Sequence, residues 1–207
     1  MLKRALLSSL ILLAACGNSG GEKPIAQSSG PQDTCKTRAS AKIGGPITLV
    51  NQDGETVTQD DFKGRHSLVF FGFTHCPDVC PFTLNRIHQA IEELPDGVEI
   101  PKTIMISVDP ARDTPEELKT YIGNNGFPED IVGLTGSEDQ VKQASESFIA
   151  YYKQVKDDSS AAGYTMDHSA LIYMMDENWK LDTFFTHESA PDEMARCMAE
   201  YLPSATG

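Results

Sequence analysis

The chain has 207 residues and a formal net charge of −13 at pH 7. This acidic balance argues against a nucleic-acid-binding protein, because such proteins present basic surfaces to phosphates, and it would attract cations and basic protein partners. Beyond the N-terminal stretch we find no apolar run of the length that a membrane-spanning helix needs.

The N-terminus predicts an exported protein. Lys3 and Arg4 precede a short apolar stretch, which ends in small residues before Cys16. We interpret residues 1–15 as a signal peptide; because the cleavage region resembles a bacterial lipobox, we expect cleavage before Cys16 and acylation of its thiol. An ordinary signal peptide that ends near a cysteine is the alternative. Residues 16–40 are rich in Gly, Ser, Gln and Pro, and we predict that they form a flexible, lipid-anchored tether. The expected location is the exported, periplasmic or extracytoplasmic, side of a membrane in the bacterial cell envelope.

Residues 41–207 predict one α/β domain with a mixed central sheet flanked by helices and a thioredoxin-like alternation of elements. The predicted strands are a hairpin over 47–57 and the segments 67–73, 103–108, 170–175 and 180–185. The predicted helices begin near Cys80, after Thr114 and at Ser137 (to about Tyr151), and a last helix has Pro191 in its first turn and reaches Tyr201. We expect the domain to begin with this N-terminal β-hairpin.

The most informative segment is GFTHCPDVCP, residues 72–81, which places two thiols one helical turn apart after a buried strand. We predict a helix that begins near Cys80, and its N-terminal dipole favours thiolate over thiol there. Cys76 and Cys80 could share a metal ion, close a disulfide, or act as a catalytic dithiol pair. Their C-x-x-x-C spacing is one residue longer than that of thioredoxin-type oxidoreductases, which favours a metal.

A third candidate ligand lies at the segment Asp167-His168-Ser169, beside another apolar run. We expect His168 to lie at the end of a central strand, where the loops of α/β sheets converge. Two sulfurs and one imidazole suit copper, as Cu(I) or Cu(II). Three alternatives remain: a purely structural Cys76–Cys80 disulfide, a zinc ion, which as a structural site normally takes four protein ligands, and an iron–sulfur cluster, which needs more thiolates.

The five cysteines divide into three groups. Cys16 is the lipidation candidate, and Cys76 and Cys80 carry the chemistry. Cys35 and Cys197 are left over, and in an oxidising compartment they are candidates for a disulfide that ties the end of the tether to the last helix. Spacing alone does not establish this pairing.

Four blocks of sequence resemble the signature of the Sco/SenC family of copper-handling proteins. They are FGFTHCPDVCP (71–81), SVDPARDTP (107–115), GLTG (133–136) and DHS (167–169). The resemblance runs from about residue 44 to residue 185. It implies a thioredoxin-like fold and copper bound by Cys76, Cys80 and His168. Many family members carry a membrane-spanning anchor, whereas this chain is expected to be lipid-anchored.

The resemblance also implies two functions. Family members are implicated in delivering copper to the binuclear copper site of cytochrome c oxidase, so the expected partners are a copper-accepting oxidase subunit and a copper donor or thiol reductant. Some members act instead as thiol–disulfide reductases. We therefore expect an exported, membrane-anchored copper metallochaperone, with a thiol–disulfide oxidoreductase that uses Cys76 and Cys80 as the alternative.

Overall fold

A computed structural model of the protein describes Cys35 and residues 42–205. The predicted signal peptide, Cys16 and all of the predicted tether except Cys35 lie outside the described residues. The strands within the described part are β1 (Thr48–Asn51), β2 (Thr56–Thr58), β3 (Ser67–Gly72), β4 (Lys102–Ser107), β5 (Ile131–Thr135), β6 (Tyr152–Lys156), β7 (Tyr164–His168), β8 (Leu171–Met175) and β9 (Leu181–Thr186). The α-helices are α1 (Val79–Glu92), α2 (Pro115–Ile122), α3 (Glu138–Phe148) and α4 (Pro191–Tyr201), with a 3₁₀ helix at Gln59–Phe62.

Seven strands form a mixed central sheet in the order β2-β1-β5-β4-β3-β8-β9. The neighbours β3, β4 and β5 run parallel, whereas β8 and β9 extend the sheet antiparallel on one side. The β1–β2 hairpin closes the opposite edge and pairs antiparallel with β5. Helices pack against the sheet and one another, α2 on β5 and α1 against α4. The predicted α/β class, mixed sheet and N-terminal hairpin are confirmed.

Strand β3 is an interior strand of the sheet, and all six of its residues, SLVFFG, are buried. A continuous apolar run is what a strand covered on both faces requires. The adjacent β4 is also almost wholly buried. These two strands fix the start of the loop that carries the cysteine motif.

The helix starts follow the predicted capping residues. The side chain of Thr114 accepts a hydrogen bond from the Glu117 N–H, and Pro115 is the first residue of α2. Ser137 and Gln140 form a reciprocal capping box at the start of α3. Helix α3 ends at Phe148, earlier than predicted, because Ile149 adopts a left-handed conformation with φ of 53°.

Two parts of the fold were not predicted. Strand β5 fills the position between β1 and β4. Strands β6 and β7 form a separate two-stranded sheet, in which Tyr152 pairs with His168.

Within the described residues, no helix has both the length and the hydropathy that a membrane crossing requires.

Candidate metal centre

Three elements bring Cys76, Cys80 and His168 together. Cys76 lies in the loop after β3, Cys80 is the second residue of α1, and His168 is the last residue of β7. Their ligand atoms all lie within 4.8 Å of one another. The expectation that His168 ends a central strand is wrong, because β7 belongs to the small hairpin sheet and only the following strand β8 enters the central sheet.

The pKa values of the Cys76 and Cys80 thiols are shifted in opposite directions. A hydrogen bond from Cys80 is the main cause that lowers the pKa of Cys76 to about 4, and the backbone N–H of Cys80 also donates to the Cys76 sulfur over 3.3 Å. Burial raises the pKa of Cys80, whose side chain is 0% exposed. The expectation that the helix N-terminus favours thiolate at Cys80 is therefore wrong: the N–H groups of the first turn stabilise Cys76, and desolvation keeps Cys80 protonated.

His168 is oriented for ligation by the backbone carbonyl of the next residue, Ser169. Its Nδ1 lies 3.0 Å from the carbonyl oxygen of Ser169, which can only accept a hydrogen bond, so Nδ1 carries the proton. In the neutral ring this leaves the Nε2 lone pair free, and Nε2 lies 3.6 Å from the Cys80 sulfur. The rings of Phe70 and Phe73 pack edge-on against the imidazole. A hydrogen bond of this kind fixes tautomer and ring direction in metal-binding histidines.

A groove of about 360 Å³ opens beside the cluster. Its lining includes Cys76 and His168 but not Cys80. Met166 and His187 also line it. A ligand in solution therefore reaches the group from the side of Cys76 and His168.

The loop that carries Cys76 is held by a buried carboxylate from another element. Asp113, which precedes α2, accepts hydrogen bonds from the backbone N–H and hydroxyl of Thr74 at 3.0 and 2.7 Å. It also accepts one from the Ser107 hydroxyl at 2.6 Å. Asp113 is fully buried, and burial is the main cause that raises its pKa. Thr74 is two residues before Cys76, so Asp113 positions the cysteine loop against β4.

The same segment also holds the hairpin that carries His168. Asp109 accepts a hydrogen bond from the hydroxyl of Tyr164, the first residue of β7, over 3.0 Å. Arg112 pairs with Asp109, and its guanidinium lies 4.1 Å from the centre of the Tyr164 ring. Sequence reasoning assigned no role to Asp109, Asp113 or Tyr164, although the two aspartates stand inside the SVDPARDTP block.

We expect an Asp113→Ala substitution to lower the free energy of unfolding by about 2–3 kcal/mol. The buried hydroxyl of Ser107 and the half-buried backbone N–H of Thr74 would lose their acceptor. An unpaired buried group costs about 1–3 kcal/mol. Removal of a desolvated carboxylate offsets part of this loss. Urea unfolding of the reduced protein followed by circular dichroism measures the effect.

The matched control is Asp158→Ala, which removes an exposed carboxylate paired with Lys156 at the surface. Exposed ion pairs contribute about 0–1 kcal/mol, so the change should stay within that range. Equal unfolding midpoints for the two variants would contradict the structural role of Asp113.

We expect Cys76 to react as a thiolate well below neutral pH. Because its folded pKa is lowered from 9.0 to about 4, the thiolate is present above pH 4 and is lost as the pH falls through that value. The alkylation rate of Cys76 in the reduced protein should therefore be nearly flat from pH 8 to pH 5, with little reaction at Cys80. Time-resolved alkylation with peptide mass spectrometry measures both rates, and unfolded protein is the control. A Cys76 rate that falls about tenfold per pH unit below pH 8 would refute this assignment.

The remaining predicted site residues lie outside this group. Cys35 and Cys197 are buried in the hydrophobic core. All four cysteines within the described residues are thiols in the structure. The proposed Cys35–Cys197 pairing stays a prediction, and Cys16 is not among the described residues.

The sheet and the site together define a class of protein: a thioredoxin-like domain with two cysteines and one histidine arranged to hold a soft metal ion. A sequence model described as SCO1/SenC matches residues 35–203. The SCO2-like protein of Rickettsia prowazekii is 41% identical over 154 residues, which cover 74% of each chain.

Solved structures agree with the sequence match. Copper-bound ScoI of Arabidopsis thaliana superposes with a TM-score of 0.72 at 32% identity, covering 77% of this chain and 97% of the other. Copper-bound ScoI of Bradyrhizobium japonicum superposes with a TM-score of 0.67 at 39% identity, covering 77% of this chain and 99% of the other. BsSco superposes with a TM-score of 0.61 at 25% identity, covering 79% of this chain and 95% of the other. It is described as a member of the Sco family of cytochrome c oxidase assembly proteins with a disulfide switch. The chain belongs to the SCO1/SenC family.

Proposed function

We propose that this protein is a copper metallochaperone that binds one copper ion through Cys76, Cys80 and His168 and delivers it to the binuclear copper site of cytochrome c oxidase. The single observation that carries the proposal is the convergence of three ligand atoms within 4.8 Å. Sulfur and imidazole ligands stand about 2.0–2.3 Å from a bound metal, so ligand atoms that share one ion lie at most about 4.6 Å apart. The group is therefore already close to the size that an ion requires.

The chemistry of the ligands favours copper. Thiolates select Cu(I), and imidazole serves both Cu(I) and Cu(II). Cys76 offers a thiolate at neutral pH, and His168 offers the lone pair of Nε2. Cys80 must lose a proton on binding because burial raises its pKa, so binding releases a proton and weakens in acid. The copper bound in the similar plant and bacterial ScoI structures supports this assignment.

The experiment is an anaerobic Cu(I) titration of the fully reduced protein against a competing chelator. The expected result is one copper per chain, followed by transfer to an apo copper-accepting oxidase subunit when the two are mixed. Less than a fifth of an equivalent bound in competition would reject the copper site. Tight binding without transfer would reject only the acceptor.

A second candidate function is thiol–disulfide exchange, and the asymmetry of the two cysteines favours it. The Cys76 thiolate attacks a partner disulfide and releases one partner thiolate, forming a mixed disulfide. Cys80 then attacks the sulfur of Cys76 and releases the second partner thiol, so the partner gains two electrons and this chain ends with a Cys76–Cys80 disulfide. This function needs both thiols, but it does not need His168.

We also propose that the protein is lipid-anchored through Cys16 on the exported side of a bacterial membrane. The support is the sequence of residues 1–15 and the lipobox-like segment before Cys16. Mass spectrometry of the N-terminal peptide from membranes tests this proposal. An acylated Cys16 at the N-terminus is expected. A mature protein with an unmodified N-terminus at another residue would reject the lipid anchor.

A further inference from the structure

Two cysteines that the metal centre does not use lie together in the core. Cys35 is 4% exposed and Cys197 is 2% exposed, and both belong to the main hydrophobic cluster. Cys35 precedes the first strand of the domain, and Cys197 lies on the last helix, α4. A contact between them joins the two ends of the folded domain.

Helix α4 presents the side chains of Cys197 and Tyr201 on the same face. Tyr201 lies four residues after Cys197, so both side chains project from one face of the helix. The hydroxyl of Tyr201 donates a hydrogen bond to the carbonyl oxygen of Cys35, which holds Cys35 against that face. Burial, and after it an interaction with the side chain of Cys35, raises the pKa of the Cys197 thiol.

We propose that Cys35 and Cys197 form a structural disulfide that closes the domain between its N-terminal end and helix α4. The oxidant is the disulfide of an exchange partner of the oxidoreductase class. The thiolate of Cys35 attacks one partner sulfur, and the thiolate of Cys197 then attacks the sulfur of Cys35. The new S–S bond carries the two-electron oxidation, and the partner leaves as two thiols that take up the two protons lost by Cys35 and Cys197.

The disulfide forms while the domain folds, because both sulfurs are inaccessible afterwards. The same burial separates this pair from the metal-binding dithiol. Cys76 lines an open groove, so a reductant can reach the Cys76–Cys80 pair, whereas Cys35 and Cys197 are enclosed in the core. One protein can thus hold a reduced metal-binding dithiol and an oxidised structural disulfide in the same compartment.

The link encloses almost the whole domain. A disulfide that closes a loop longer than 100 residues restricts the unfolded chain strongly. For a domain of this size the expected loss on removing it is about 10 °C in melting temperature. The effect should be absent from reduced protein.

The test uses the full chain in detergent, refolded with a mixture of oxidised and reduced glutathione. The folded protein is then treated with a mild phosphine reductant, the reductant is removed, and the protein is unfolded in denaturant with an alkylating agent and digested without further reduction. The expected map shows one cross-linked pair of peptides that contain Cys35 and Cys197, together with alkylated Cys76 and Cys80. Alkylated Cys35 and Cys197, or a map in which either is linked to Cys76 or Cys80, would overturn the proposal.

Melting temperatures give a second, independent measurement. Cys35→Ser should melt about 10 °C below the oxidised wild type, and the two proteins should differ little after full reduction in denaturant and refolding with reductant. The matched variant Cys76→Ser removes a thiol from the other pair and should keep the Cys35–Cys197 link. A Cys35→Ser deficit that is equally large in reductant would reflect lost packing and would overturn the disulfide. Neither measurement involves copper, so failure here is distinct from failure of the proposed function.

Discussion

A Cys80→Ser variant is expected to lose copper affinity by more than about a hundredfold. Substitution of residues that only support a metal ligand already costs about 10- to 100-fold, and here a ligand itself is removed. A serine hydroxyl is a hard, protonated group at neutral pH and does not replace a thiolate for Cu(I). Competition titration against a Cu(I) chelator measures the change, and the same variant should have no dithiol-exchange activity.

The control for this variant is Cys197→Ser, which changes an almost equally buried cysteine outside the metal group. Its copper affinity should stay within about twofold of the wild type under reducing conditions. Near-ultraviolet circular dichroism establishes that both variants are folded. A folded Cys80→Ser protein that binds copper within tenfold of the wild type would remove Cys80 from the ligand set.

A His168→Ala variant should separate the two candidate functions. Copper affinity should fall at least tenfold, and more for Cu(II) than for Cu(I), because imidazole is the ligand that suits the oxidised ion. Dithiol exchange should continue, because Cys76 and Cys80 both remain. Chelator competition for each copper state and the rate of reduction of an aromatic disulfide measure the two properties.

The matched control is His88→Ala, which removes a histidine of α1 that pairs with Glu92 away from the metal group. It should change neither copper binding nor exchange. If His168→Ala binds both copper states as tightly as the wild type, the third ligand is misassigned and dithiol exchange becomes the better account. Loss of exchange together with copper binding would indicate instead that His168 supports the cysteine loop.

The sequence allowed prediction of the elements whose signals are local. Strand β3 is a continuous apolar run, and helices α2 and α3 begin at capping residues, so both kinds of element could be located without a structure. Strand β5 has a glycine at its centre and is only five residues long, so its sequence shows no distinct hydrophobic periodicity. None of the residues of β6 and β7 is fully buried, and the hairpin pairs only with itself, so its residues carry little hydrophobic pattern.

The site was predictable as a set of residues and not as an arrangement. The pairing of Tyr152 with His168 places the imidazole on the hairpin, and no local feature at His168 indicates that long-range contact. The acid–base difference between Cys76 and Cys80 depends on which sulfur is enclosed by the core, a property of the folded state. The supporting role of Asp113 likewise depends on a contact with Thr74 across 39 residues of chain.

The groove beside the metal centre has a consequence for the order of events in copper delivery. Cys76 and His168 line it and Cys80 does not, so under the proposed function donor and acceptor proteins would approach the ion from the same side. Under the proposed function the two partners therefore compete for a single opening and cannot be docked together. Loading and unloading would then alternate, with the donor leaving before the acceptor arrives.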